Sequence, residues 1–410
     1  MTGRNDLPAA PRSRFALPQT SIGGLPSKQR ARALEFVRSL LESPTAPYFE
    51  DGPVSVVRRF ARERAGLSLA EDEHANLIVR WPGSKRSRAP ALAFSAHLDH
   101  PGFHYSGVRG GVHTGRFHGG VPARFMPGAR VRFHSSSGSA HATAIVRAAE
   151  NRGRDGIVAE FRDVRGKPAR GSFGVFDLTD GVMRGTRLSS RVCDDLMGAA
   201  AILALLDHCV ETNCTRAVTG VFTRAEETGF IGCVGLLESG LLAADTIMIG
   251  LECSPRRATA VVGEGPVVRV GDRQSVFDPM ITAGIEAAAR RVSTRVPGFG
   301  YQRALMDGGS CESTAYNAFG IQAGAMCLAL GNYHNCGPGE TIAPEFVDWN
   351  DFEGLVAIMI ECSESFDAAQ ITLNTRMRLK QIYDREYKRL TVSGRRLKRP
   401  AKPGMRGVAR

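Results

Sequence analysis

Six residues stand out by their type and by where they fall in the chain. His97 ends the run "ALAFSAH", Glu226 and Glu227 follow "VTGVFTRA", Glu252 follows "DTIMIGL", and His334 follows "MCLALGNY". Each sits at, or just past, the carboxyl end of a segment that reads as a buried strand, and Asp194 opens a segment that reads as a helix. In open parallel sheets the carboxyl ends of the strands share one crevice, so residues distant in sequence can converge there. Singly, each has a plain alternative: a helix-capping Asp, a solvated Glu pair, a hydrogen-bonded His. Together, two imidazoles and three carboxylates suit a pair of divalent cations, zinc first among them. One carboxylate would bridge ions about 3.5–4 Å apart, so that a water between them is acidified and a substrate carbonyl polarised. A further carboxylate, outside the ligand set, would take the proton of that water and pass it to a leaving amine.

The elements that must position these residues follow from periodicity. "SKQRARALEFVRSLLES" and "GPVSVVRRFARERAG" read as helices, and "HANLIVRWPG" and "APALAFSAH" as strands, the second central in a sheet. Residues 105–189 change character to short alternating segments separated by glycines, the pattern of a small β-rich domain. Helix–strand alternation then resumes through "DDLMGAAAILALLDHCVE", "DTIMIGLECSP" and "VDWNDFEGLVAIMIECSESFDAAQ". The expected fold class is α/β: a mixed, mostly parallel sheet flanked by helices, with an inserted β-rich domain. The expected boundaries are a disordered leader at 1–26, a discontinuous catalytic domain at 27–104 and 190–372, the insertion at 105–189 and a basic tail at 373–410.

Charge and cysteine usage narrow the function classes. The formal net charge is +12, yet residues 376–410 hold thirteen Lys and Arg against Asp384 and Glu386, leaving the preceding chain close to neutral. A basic groove for nucleic acid in the folded body is therefore not expected. Contact of the 376–410 tail with nucleic acid or an acidic surface is the sharper reading of that segment, and a solvated extension the plainer one. Nine cysteines, an odd number without C-x-x-C spacing, argue against a disulfide framework or a structural zinc knuckle and point to a reducing cytoplasm. No apolar run approaches the roughly 18–20 residues of a membrane span, and no apolar segment follows the N-terminal arginines as a secretory signal requires.

The segments "HLDHPGF", "CDDLMG", "TRAEETGFIG", "LEC" and "YHN" occur in an order that resembles the TET/deblocking (glutamyl) aminopeptidases, a family of co-catalytic zinc metallopeptidases. The resemblance extends from about Lys28 to Gln370. It implies an enzyme with two divalent metal ions, zinc or else cobalt or manganese, that hydrolyses N-terminal residues from peptide substrates. Carried over by position, it makes His97 and Glu252 the terminal ligands of one ion, Glu227 and His334 those of the other, Asp194 the bridge and Glu226 the general base. Asp99 would hold the His97 ring by a hydrogen bond, and the loosely matching "DGGSCEST" assigns Gly309, Ser310 and Glu312 to the substrate pocket. Glu252 stands where the family has Asp, and the Arg and Ser flanking the last histidine of the family are absent. His100, in a position the family fills differently, is expected at the surface, and Cys193, Cys253, Cys311 and Cys336 are expected to be inert. The 105–189 insertion falls where the family carries its oligomerisation domain, so a homo-oligomer is implied. Two other readings keep the residues but change the conclusion. One is an amidohydrolase, deacylase or carboxypeptidase-type hydrolase using the same two-metal site; the other is an inactive binding protein with a basic tail.

Overall fold

Short apolar runs, too short for helices and buried on both faces, assemble into the centre of a nine-stranded sheet. The computed structural model describes residues 13–18, 22, 24–84, 91–153 and 156–397. In chain order the sheet strands are β1 (Ser68–Glu71), β2 (Leu77–Trp81), β3 (Leu92–His97), β4 (Val218–Thr223), β5 (Ile247–Gly250), β6 (Cys253–Pro255), β7 (Val267–Asp272), β8 (Gln302–Met306) and β9 (Ala323–Leu330). They lie in the order β8-β7-β9-β5-β3-β4-β2-β1, with β6 also paired to β9. The central four, β9, β5, β3 and β4, run parallel. Antiparallel pairing enters on either side, β7 against β9 and β2 against β4.

Helices cover both faces. They are α1 (Ser27–Leu41), α2 (Asp51–Arg62), α3 (Leu196–Thr212), α4 (Ile231–Glu238), α5 (Pro279–Arg295), α6 (Glu312–Ala318) and α7 (Trp349–Ser365). The alternation along β4 shows how this works: Gly220 meets Ile202 and Leu206 of α3, while Val221 joins Cys233 of α4 and Tyr316 of α6 on the other face.

The glycine-punctuated segment folds as a closed six-stranded barrel of Gly102–Arg109, Val112–His118, Arg130–His134, Ala140–Asn151, Ile157–Gly166 and Phe173–Phe176. Its core is aromatic. Phe103 makes edge contacts with Phe117 at 4.7 Å, Phe176 at 5.4 Å and Phe161 at 5.5 Å, and Phe133 meets Phe161 at 5.2 Å. The alternating pattern over 105–189 does not distinguish these strands from the two that follow. Gly181–Arg184 and Arg187–Ser190 leave the barrel and form a separate four-stranded sheet with Ser13–Arg14 and Glu345–Asp348. That pairing sets Ser190 opposite Glu345, and so brings the chain before Asp194 beside the chain after His334.

Two expectations about the ends need correction. Ser13–Arg14, within the expected leader, is a strand paired with Gly181 and Val182; residues 1–12, 19–21 and 23 lie outside the described residues. The basic tail, expected from 373, begins earlier: α8 (Ala368–Leu397) is a helix in a second compact unit, Asp367–Arg410, distinguished from Met1–Phe366. The sequence from Ala368 to Ser393 contains neither Pro nor Gly, which leaves helix as its open choice. Residues 398–410 lie outside the described residues. Among the described residues no helix is long and apolar enough to cross a membrane. All nine cysteines are free, and eight of them are buried.

Candidate metal centre

The parallel strands deliver five of the six residues directly. β3 ends on His97. Beyond β4 the chain turns at Ala225, φ 51°, and presents Glu226 and Glu227. "DTIMIGLECSP", which reads as one strand, breaks between β5 and β6, and Glu252 occupies the break. Beyond β9, Asn332, His334 and Asn335 all have positive φ, of 54°, 53° and 60°. Non-glycine residues held in the left-handed region cost about 1–3 kcal/mol each and persist where the surroundings over-determine them. Asp194 comes from a loop, and the two adjacent aspartates divide the work. Asp195 caps α3, accepting a hydrogen bond from the Gly198 amide at 3.2 Å, which leaves the Asp194 side chain free. A Cβ on residue 198 would lie 2.4 Å from the Asp195 carboxylate, so the motif needs glycine there.

The six side chains meet. His97 Nε2 lies 3.5 Å from Asp194 Oδ1, 3.6 Å from Glu252 Oε1 and 4.0 Å from Glu226 Oε2. His334 Nε2 lies 3.6 Å from Asp194 Oδ2 and 3.0 Å from Glu227 Oε1. Asp194 thus turns one oxygen to each histidine. Donor atoms of His97, Glu226 and Glu252 fall within 4.8 Å of one another, as do those of Asp194, Glu227 and His334. His97 Nδ1 is 3.2 Å from the Asp99 carbonyl, an acceptor only, so Nδ1 donates to it and Nε2 is the nitrogen that faces the cluster.

Electrostatically the cluster sets two buried histidines among several carboxylates. Burial works against ionising His97, yet Glu226, Asp194, Asp99 and Glu252 hold it well above the usual imidazole range. His334 is raised likewise, against its burial, by Glu227 and Asp194. Burial pushes the Glu226 and Glu252 carboxyls well up, whereas Asp194, despite its burial, is held well below the carboxylate range by the two histidines. Buried Asp194 Oδ1 and Glu227 Oε1 have no hydrogen-bond partner; the 3.0 Å approach of Glu227 to His334 lacks hydrogen-bonding geometry. Orphaned carboxylate oxygens beside inward-facing imidazoles are the donor set that divalent cations require, and the residues fit such ions.

The comparisons with known proteins agree. The M42 glutamyl aminopeptidase family model matches residues 166–342, a stretch holding Asp194, Glu226, Glu227, Glu252 and His334. In this stretch, and in its fold, the chain resembles the M42/TET-like peptidases. The aminopeptidase APDkam598 from Desulfurococcus kamchatkensis is similar at TM-score 0.68 and 20% identity, over 83% of this chain and 97% of its own. A TET aminopeptidase from a marine-sediment thaumarchaeon is similar at 0.68 and 16%, over 83% and 99%. The Pyrococcus horikoshii TET1 peptidase is similar at 0.65 and 18%, over 81% and 99%. At these identities the structural likeness establishes the fold. No curated protein matches the chain.

Other predicted positions behave differently. The Asp99 carboxylate does not hydrogen-bond the His97 ring, from which it lies 3.6 Å away. It accepts the backbone amides of Glu226 at 2.9 Å and Glu227 at 3.1 Å, and so holds the glutamate turn while its own carbonyl orients the ring. His100 is buried rather than at the surface: Nδ1 donates to the Asp194 carbonyl at 2.8 Å, and Nε2 is 3.2 Å from Asn335 Oδ1. Gly309, Ser310 and Glu312 contribute to neither donor set. Gly309 packs near the Tyr333 hydroxyl, whose ring stacks on His334 at 3.7 Å. Ser310 Oγ and Glu312 Oε1 are buried without hydrogen-bond partners, and burial pushes Glu312 up to about 7.

Two residues that sequence reasoning missed also support the ligand loops. Glu50 accepts the Ala225 amide at 3.0 Å and the Arg224 guanidinium at 2.8 Å. Glu345 accepts amides from both the Asp194 and His334 loops. Neither carries a motif, since a carboxylate that binds main-chain amides leaves no spacing to read.

Proposed function

We propose that this peptidase is a dinuclear-metal aminopeptidase that removes N-terminal residues from peptides. One observation carries the reading: Asp194 turns one carboxylate oxygen toward His97 and the other toward His334, between two complete donor sets. His97 and Glu252 would hold one ion and Glu227 and His334 the other, with Asp194 shared. Two divalent cations, when bound, lower the pKa of water toward neutrality and polarise a carbonyl. Zinc suits the imidazole–carboxylate set, with cobalt or manganese as alternatives.

Glu226 takes the proton of the attacking water and returns it to the leaving amine. It lies 4.0 Å from His97, against 3.6 Å for Glu252, and could itself reach an ion held there; its role as base is carried over from the resemblance. Asp99 keeps Glu226 in place through its backbone amide. Gly309, Ser310 and Glu312 are assigned to the substrate pocket beside Tyr333. The Pyrococcus horikoshii TET1 peptidase assembles into a tetrahedron or an octahedral shell. We assign homo-oligomerisation to this chain as well, through the barrel-bearing segment 105–189. Nine free cysteines accord with a reducing, cytoplasmic setting.

Elemental analysis and a screen of aminoacyl chromogenic substrates, on the natural protein and Glu226→Gln, test the reading. Metal content should persist in the variant while turnover falls by on the order of 10²–10⁴. Loss of metal together with activity would remove Glu226 from the role of base. Hydrolysis confined to N-blocked substrates would favour the amidohydrolase or deacylase reading.

A further inference from the structure

Glu345 is fully buried and belongs to no donor set, yet it is bonded to two of the loops that carry ligands. Its Oε2 accepts the backbone amides of Cys193 at 2.6 Å and Asp194 at 3.2 Å, and its Oε1 accepts the amide of His334 at 2.8 Å. Each oxygen therefore serves a different loop, and the rigid carboxylate between them fixes the spacing of the two. The strand Glu345–Asp348 is itself anchored, since Glu345 pairs with Ser190 just ahead of the Asp194 loop. On the far side the His334 backbone sits at φ 53°, a conformation that requires outside support.

We propose that Glu345 is a positioning residue that sets the distance between Asp194 and His334, and thereby the affinity of the half-site formed by Asp194, Glu227 and His334 for its cation. The inference rests on the two-metal reading above. Its content is an asymmetry: Asp194, shared by both ions, keeps its tether to His100 when Glu345 is lost, whereas the His334 amide loses its acceptor. Glu345 touches neither His97 nor Glu252, which are placed by the main sheet: His97 closes β3, and the Leu251 amide beside Glu252 donates to the Ser95 carbonyl of that strand at 2.8 Å. Only an acceptor-only group satisfies all three amides at once; a side-chain amide has a single acceptor oxygen and turns its NH₂ against at least one of them. A separate link survives its loss. His100 still donates to the Asp194 carbonyl, and Asn335 Nδ2 to the Arg191 carbonyl at 2.9 Å, so the loops remain tethered but out of register.

The test is calorimetric titration of Zn²⁺ into the chelator-stripped full-length protein, which reads metal binding without reference to turnover. The natural chain should take up two ions. Glu345→Gln should keep one site within about threefold and weaken the other by about 10–100-fold, the usual effect of losing a group that orients ligands. Glu345→Asp keeps the charge but is one methylene shorter, and should weaken the same site by less. If Glu345→Gln does not fold, as read by circular dichroism, Glu345→Asp carries the comparison.

Asp351→Asn makes the same chemical change at another buried carboxylate, one that accepts the Gly263 and Gly265 amides at 2.8 Å each, and should leave both zinc sites unaltered. Equal weakening of both sites, unchanged binding in the Glu345 variants, or the same loss in Asp351→Asn would overturn the proposal while leaving the two-metal reading intact. A natural chain that binds no zinc, cobalt or manganese would remove both.

Discussion

The barrel and the ligand cluster are both buried, and they are built on opposite rules. The barrel interior is apolar, with Phe103, Phe117, Phe133, Phe161 and Phe176 packed in one cluster. Two histidines of its strands, buried His134 and partly buried His118, are favoured in the neutral form by burial. His134 is pushed down to about 4 by burial, aided by Arg191 and Arg132; His118 goes to about 4 by burial, with His104 and Arg116 adding to the effect. In the cluster the same burial acts on histidines surrounded by carboxylates, and there the carboxylates win. Burial is common to both, so the sign of the neighbouring charge decides the outcome. The barrel is assembled for stability, whereas the cluster crowds like charges at a cost that divalent cations would offset.

That contrast can be broken at three levels. The largest effect is expected from Phe133→Ala, which should cost about 3–5 kcal/mol in urea unfolding, while the protein that remains folded takes up zinc as the natural chain does. A fall in zinc affinity would show that the two interiors are not independent. Next, the acid limb of stability should belong to the barrel. A histidine with a folded pKa of about 4 and an unfolded value near 6.5 binds fewer protons folded than unfolded between those values. Its stabilising contribution is therefore present above about pH 6.5 and is lost as the pH falls toward 4. For His134 this amounts to on the order of 1–2 kcal/mol after allowance for solvent. His134→Asn, which keeps a donor for the Gly138 carbonyl, should flatten the urea midpoint between pH 6.5 and 4.5; an unchanged slope would assign the acid loss elsewhere.

The smallest effect is expected at the joint between the regions. Arg124, beside the barrel strands, pairs at 2.6 Å with Glu340 in the hairpin that follows His334, and both side chains are more than half exposed. Arg124→Ala should cost less than about 1 kcal/mol and leave zinc binding unaltered. A larger loss would mean that the barrel helps to hold the His334 loop, a role Gly120 already hints at. A Cβ there would come within 2.8 Å of His334 Nδ1.

Much of the site was legible because strand ends are legible. An apolar run that stops on a His or Glu marks a carboxyl end, and a parallel sheet gathers such ends, so His97, Glu227, Glu252 and His334 could be named together. The aspartates were harder. Helix-capping chemistry is visible in "CDDLMG", but the division by which Asp195 caps and Asp194 faces the cluster depends on loop geometry. Asp99 and His100 were visible as residues and misread in direction: the Asp99 carboxylate turns to the glutamate turn, and His100 turns inward to the Asp194 carbonyl. Glu50 and Glu345 gave no signal at all. The helix at 368–397 reads first as a charged extension because its basic residues are conspicuous, although the run to Ser393 has neither Pro nor Gly.

By itself the sequence determined the alternation of strand and helix, the inserted β segment and the kinds of donor atom available, because periodicity and side-chain chemistry are local properties. The tertiary structure decided which oxygen of Asp194 faces which histidine, which carboxylates hold backbone rather than ligands, and how the Asp194 and His334 loops are spaced. Those are relations between segments far apart in the chain. They arise only once the sheet has closed and buried amides have had to find acceptors.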